Sequence, residues 1–447
     1  MHILFIEIDH EAKWAVASIG PAYIASYLRQ HGHEVSMLRI PYEMTIEKFI
    51  ECVMGVNADI HAVSLTSRQW LRACELFNGL HEQSKLPVIA GGLHPTFAAE
   101  SVLQEQGFDY VCVSEGEQAM LEFVSAIEKN GKLPAKGIDN IWQKNGFKPS
   151  LRQPFEPIDE LPFMARDMLD EQYGVVHMIT QRGCPFPCTY CAARTTSDLY
   201  PGSYNDYGRR RSIQNVMDEI QQIKDNGELN YIIFLDDTFT INHAWVKDFC
   251  SVYGEKYHIP FSLHARVETI NQDMLKQLAD CGCMHITYGV ESGSERVRSE
   301  IMNRNVSNQK IINAFNWTRD AGILVTANYM LGIPGETCDD IEQTLALHHA
   351  IKPKDFGYFV FYPYQGTALF KTCQEKGYLP ENYNELPANH RESILNLPGL
   401  SNEKIRYYYD KFTETRIENH LEEYAGVTDE DFSENIIKSF TESAAKG

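Results

Sequence analysis

Thr180-Gln-Arg-Gly-Cys184-Pro-Phe-Pro-Cys188-Thr-Tyr-Cys191 is the stretch on which the reading of this chain turns. It follows an apolar, β-branched run over 176–181, so the pattern predicts a loop at the C-terminal end of a strand. Three of the chain's eleven cysteines fall in it, with gaps of three and two residues. Thiolates are the usual ligands of iron–sulfur clusters, and three of them on a 4Fe–4S cluster leave one iron without a protein ligand. A structural zinc site is the competing reading. Zinc wants a fourth ligand or a nearby histidine, and neither is close in sequence. In a reducing compartment, cysteines clustered this way argue for metal rather than disulfides.

Outward from that loop, short apolar runs alternate with helical patterns. Strands are expected over 176–181, 231–235, 261–266, 285–290, 324–330 and 356–361, with helices between them such as 213–226 and 273–281. This is a partial (β/α)6 barrel, with chemistry at the C-terminal ends of its strands. Upstream, strands over 3–8, 34–40, 60–64, 87–90 and 110–113 alternate with helices over 21–31, 46–53, 70–82 and 98–106. That alternation predicts a parallel, doubly wound, Rossmann-like sheet. The fold class is therefore α/β. The expected divisions are a first domain over 1–130, a Pro- and Gly-punctuated linker over 131–172, the barrel over 173–366 and a helical, charged segment over 367–447.

The 61 acidic residues exceed the 40 Lys and Arg, leaving a formal charge of −21. Such a field repels a phosphate backbone, so nucleic acid is not an expected partner. No apolar run reaches the ~20 residues that span a bilayer. The first residues show no cationic leader, which points to the cytoplasm.

Residues 173–365 resemble the core of the radical S-adenosylmethionine superfamily. "TQRGCPFPCTYC" is similar to its cluster loop, and further stretches match in order: "FLDDTF" (234–239), "HAR" (264–266), "GVESGS" (289–294) and "LGIPGET" (331–337). The resemblance implies that Cys184, Cys188 and Cys191 hold the cluster and that S-adenosylmethionine binds the open iron. It also implies a deoxyadenosyl radical made with electrons from a donor such as flavodoxin or ferredoxin. Asp236 and Asp237 would accept from the methionyl ammonium, unless one serves as a helix cap. Arg266 would pair with the methionyl carboxylate, or with Glu291 as a salt bridge at the barrel rim. Glu291 and Ser292 would bond the ribose, and Gly332 and Gly335 would let backbone approach the adenine. Tyr190 would sit beside the cluster. Tyr362 and Tyr364, at the start of the C-terminal cover, would line the substrate cavity.

Residues 1–130 resemble the cobalamin-binding domain that precedes this core in one subgroup, through "SIGPAYIASYLRQHGHEV" (18–35), "SLTS" (64–67), "GGLHPTF" (91–97) and "SEGE" (114–117). Ser64, Thr66, Gly91, Gly92 and His94 are the candidate contacts to cobalamin, with His94 read as a loop residue rather than a cobalt ligand. The Asp-x-His-x-x-Gly spacing that ligates cobalt is absent; Asp9-His10-Glu11 stands there instead. The subgroup implies methylation of an unactivated carbon in a small or medium-sized metabolite. Radical cyclisation, dehydrogenation, dehydration or rearrangement is the alternative. Methylthiolation of tRNA would call for a second cysteine triad and a basic C-terminal module, which this sequence lacks.

Overall fold

A computed structural model describes residues 1–9, 18–200 and 208–420. His10 and Glu11, and the last part of the expected helical segment, lie outside the described residues. The first sheet contains β1 (His2–Ile8), β2 (Glu34–Ile40), β3 (Ile60–Ser64), β4 (Val88–Gly91), β5 (Tyr110–Cys112) and β6 (Ile141–Gln143). Their order is β2-β1-β3-β4-β5-β6. The first five strands are parallel. Strand β1 reads as a continuous apolar run because both its faces are covered. Ile3 and Phe5 pack with Ala22, Leu28 and Phe123 on one side. Leu4, Ile6 and Ile8 pack with Phe49, Leu76 and Phe77 on the other.

The segment expected as a linker is structured. β6 joins β5 antiparallel, and Ile158, Leu161, Met164 and Met168 pack into the core of the first sheet. A three-residue strand among turn residues has too few positions to show a period.

The second sheet begins with β7 (Val175–Met178). A short antiparallel pair follows, β8 (Gln181–Arg182) with β9 (Arg209–Arg210). The remaining strands are β10 (Tyr231–Phe234), β11 (Phe261–Ala265), β12 (Cys283–Glu291), β13 (Leu324–Leu331) and β14 (Asp355–Val360). The order β7-β10-β11-β12-β13-β14 is fully parallel and open. β7 ends before the expected 181, because Asp236 pulls the backbone of Thr180 and Gln181 out of the strand (2.8 and 2.7 Å).

Unlike β1, β13 alternates between buried and half-open positions. One face packs on helices and the other looks into the barrel. Several of the covering helices start on a side-chain cap. Ser212, Asn242, Asn271, Ser307, Thr337 and Thr367 each accept a backbone N–H of the first turn. The C-terminal helix Asn402–His420 closes on β14, where the Tyr358 hydroxyl donates to Thr413 (2.8 Å). Among the described residues no helix is long and apolar enough to cross a membrane.

Candidate active site

Cys184, Cys188 and Cys191 line one cavity of about 200 Å³ at the C-terminal mouth of the barrel. The loop is tied down at several points. Asp236 holds its first residues, the Thr189 hydroxyl donates to the Ile301 carbonyl (2.7 Å), and the Cys184 sulfur lies 4.0 Å from the Thr238 hydroxyl. Burial raises the Cys184 thiol and pushes Cys191 up to about 12. Sulfurs so desolvated ionise only against a bound cation. Among the described residues no three His, Cys, Asp or Glu side chains converge on a single ion. The three thiols line one cavity, and three thiolates are the ligand set of a 4Fe–4S cluster with one open iron, so they fit an iron–sulfur cluster.

The two aspartates after β10 part ways. Asp236 is 1% exposed and spends one oxygen on the Thr180 and Gln181 backbone. Asp237 faces the cavity, and burial together with Asp236 pushes its carboxyl up to about 6. Arg266 also lines the cavity. Its guanidinium donates to the Cys188 sulfur (3.0 Å) and to Glu268 (2.6 Å), and stacks 3.8 Å over the Phe186 ring. The expected Arg266–Glu291 rim bridge is absent. Arg304 stands between them instead, pairing with Glu268 at 3.2 Å and Glu291 at 3.5 Å.

Glu291 has φ +69°, the left-handed region that a glutamate adopts only when its surroundings hold it there. Burial raises its carboxyl, while Arg304, Arg266 and the Tyr190 hydroxyl, which bonds it, oppose that rise. The left-handed turn and a register shift after Gly289 re-aim the carboxylate into the cavity.

The crevice of the first sheet forms over the C-terminal ends of its strands, as open α/β sheets require. Ser64, Gly91, Gly92, Ser114 and Glu115 line a cavity of about 260 Å³, and Ser64, Thr66, Gly92 and Ser114 line an adjoining one of about 380 Å³. Gly92 has φ +93°, and a β-carbon there would meet Ser64 Oγ and the Leu65 amide at 2.8 Å. The Ser114 hydroxyl is buried and has no hydrogen-bond partner among the described residues. A glycine cradle beside an unsatisfied hydroxyl fits a large amide-bearing ligand such as cobalamin. The barrel closes this crevice. Ile179 and Arg182 line the first cavity and Thr196 the second. Arg182 pairs with Glu117 (2.6 Å) and Glu115 (3.5 Å), and Arg209 reaches Glu115 (3.1 Å).

A family model described as the Radical SAM superfamily matches residues 178–348, and one described as the B12 binding domain matches residues 10–124. This chain is a radical S-adenosylmethionine enzyme with an N-terminal B12 binding domain. The two domains imply a 4Fe–4S cluster, S-adenosylmethionine and cobalamin. An uncharacterized methyltransferase of Pyrococcus horikoshii is 27% identical over 80% of each chain. The anaerobic magnesium-protoporphyrin IX monomethyl ester cyclase of Rubrivivax gelatinosus is 23% identical over 84% of this chain and 70% of its own. The fold is shared with the radical S-adenosylmethionine methyltransferase TsrM from Kitasatospora setae, solved with cobalamin and a [4Fe-4S] cluster bound. The TM-score is 0.67, with 15% identity over 84% of this chain and 75% of TsrM.

Other sequence candidates sit elsewhere in this enzyme. Ser292 is fully buried, 3.4 Å from the Thr344 hydroxyl, and supports the loop after β12. Gly332 (φ +74°) and Gly335 (φ +89°) pack toward Ile405 and Ile301 rather than into the cysteine cavity. His94 is 9% exposed, bonded to Ser67 (3.0 Å) and stacked on Trp70, and burial lowers it to about 4. It does not line either part of the crevice. Tyr362 and Tyr364 join Tyr383 and His390 in an aromatic cluster under the C-terminal cover, outside the cysteine cavity. Sequence reasoning missed Glu268, Arg304, Arg182 and Glu115. Arg182 and Glu115 lay inside matched stretches, but as loop residues with no partner visible in the sequence. The others act through partners brought near by the fold.

Proposed function

We infer that this enzyme methylates an unactivated carbon of a small or medium-sized metabolite, with cobalamin carrying the methyl group. One observation carries this reading: the crevice of the B12 binding domain is walled by the residues that flank the cysteine loop, Arg182 before it and Thr196 after it. Bound cluster and S-adenosylmethionine supply a deoxyadenosyl radical, and bound cobalamin supplies the methyl group. Cys184, Cys188 and Cys191 hold the cluster. Asp237 accepts from the methionyl ammonium, Arg266 donates to the methionyl carboxylate and Glu291 accepts from the ribose hydroxyls. Tyr190 braces Glu291. Ser64, Thr66, Gly91, Gly92 and Ser114 receive cobalamin, and among the described residues no histidine lines the crevice. A reducing, cytoplasmic setting with flavodoxin or ferredoxin as electron donor completes the reading.

The test is anaerobic reconstitution with hydroxocobalamin, reduction, and S-adenosylmethionine carrying a deuterated methyl group. One corrinoid per chain, released deoxyadenosine and a cobalt(II) resonance without nitrogen splitting are expected. A chain that cleaves S-adenosylmethionine yet retains no corrinoid overturns the methylation reading. It would favour the second, non-methylating radical rearrangement or cyclisation, which the likeness to the Rubrivivax gelatinosus cyclase supports.

A further inference from the structure

Barrels of parallel strands normally fill their interior with layers of side chains. On three neighbouring strands one layer carries a single side chain. Gly289 of β12, Asn328 of β13 and Gly357 of β14 stand in register across three neighbouring strands. The two glycines flank the single side chain. A β-carbon on Gly357 would lie 2.7 Å from the Asn328 amide oxygen and 3.0 Å from the Phe359 ring. A β-carbon on Gly289 would collide with the Glu291 carboxylate. The glycines therefore let the Glu291 carboxylate, the Asn328 amide and the Phe359 ring close over the strands where β-carbons would stand.

Asn328, His264 and Thr287 all line the cysteine cavity. His264 and Thr287 are paired in register. Among the described residues the side chains of these three make no hydrogen bond, whereas the charged groups at the mouth are bound to one another through Arg266, Glu268, Arg304 and Glu291. These side chains are exposed or half-buried in the cavity, so their hydrogen-bonding capacity is free for a ligand that enters it. None of the three carries a fixed charge. A carboxylate, phosphate or ammonium brought there would lose its water and find the nearest charges, Arg304 and Glu291, already paired with one another. The open edge beside them is apolar: Phe359 is 41% exposed and its ring lies over Gly357.

We propose that the Gly289–Asn328–Gly357 layer, with His264, Thr287 and Phe359, is the substrate subsite, and that it takes an uncharged hydrogen-bonding group, an amide, carbonyl or hydroxyl, borne on an apolar or planar body. This rests on the reading above only in that Asp237, Arg266 and Glu291 are taken by S-adenosylmethionine, which leaves the floor to the substrate. Asn328 binds the polar group and thereby selects among substrates. Gly357 sets the space, and Phe359 walls the body of the substrate.

Saturation-transfer NMR on the holoenzyme tests it, with the cluster kept oxidised and S-adenosylmethionine present. The probes are benzamide, benzoate and benzylammonium, which share one planar body. Benzamide is expected to receive saturation and the two ions to receive little. Gly357→Val, which fills the layer, and Asn328→Ala, which removes the amide, are each expected to weaken benzamide binding about ten-fold. Iron and cobalamin contents report whether each variant keeps an intact cluster and crevice, and where Gly357→Val does not, Asn328→Ala decides. Benzoate or benzylammonium binding as well as benzamide overturns the proposal, as does no binding of any probe or undiminished binding by intact variants. Failure of the methylation reading looks different: benzamide binds in the expected pattern to a chain that retains no corrinoid.

Discussion

Both halves of this enzyme place their sites at the C-terminal edge of a parallel sheet, yet they are built from opposite materials. The first-sheet crevice is made of glycine backbone and hydroxyls, Ser64, Thr66, Gly92 and Ser114, and its charges stand at the boundary with the barrel, where Glu115 and Glu117 meet Arg209 and Arg182. The barrel mouth packs three thiols against a chain of buried charges, Arg266, Glu268, Arg304 and Glu291. A bulky ligand rich in neutral amides needs room and scattered hydrogen bonds. A cluster and a charged sulfonium cofactor need fixed charges at fixed places, because charge in a desolvated site acts strongly.

Removing the thiols breaks the barrel side outright. Replacing Cys184, Cys188 and Cys191 together with Ala should abolish the cluster and reductive cleavage of S-adenosylmethionine, read as iron content and deoxyadenosine. Iron retained at the wild-type level would sink the ligand assignment. The next largest effect tests the seam between the halves. Arg182→Ala leaves Glu117, 4% exposed, without its guanidinium, and should cost about 3 kcal/mol of stability in urea unfolding. An unchanged midpoint would mean the two halves are held by other contacts.

Glu291→Ala separates binding from structure at the mouth. Losing charge-assisted hydrogen bonds should weaken S-adenosylmethionine by about 2 kcal/mol, roughly thirty-fold in Kd. A lower melting temperature with an unchanged Kd would make Glu291 only a partner of Arg304. The smallest effect is a pH slope. Glu336 is buried, its Oε2 accepts the Gly332 N–H at 2.7 Å, and burial pushes its carboxyl up from 4.5 to about 8. A raised carboxyl favours the folded state most below pH 4.5, and that contribution is lost as pH rises through about 8. Glu336→Gln removes the titration, so its stability relative to wild type should rise between about pH 4.5 and about pH 8. A pH-independent difference would show that Glu336 does not titrate in the fold.

Local patterns carried much of this structure. The helix Ile213–Asn226 and the strands Glu34–Ile40 and Ile60–Ser64 fall where periodicity places them. β6 escaped notice because antiparallel addition to β5 is a long-range choice made on three residues. At the site, the cysteine spacing and the acidic pair after β10 were legible, but which aspartate faces the cavity was not. Adjacent residues at a strand end point opposite ways, and only the position of the Thr180 backbone shows which of them is engaged as a loop anchor.

The sequence by itself determined the thiol triad, the two parallel sheets and the glycine loops, because spacing, period and the absence of a side chain are properties of neighbours along the chain. Tertiary structure alone decided that Arg304 rather than Arg266 meets Glu291, that His94 stacks on Trp70 away from the crevice, and that two glycines from different strands flank Asn328. Charge pairing and cavity shape depend on distances through space. Residues separated by a strand and a helix come within a few ångströms only once the sheets have closed.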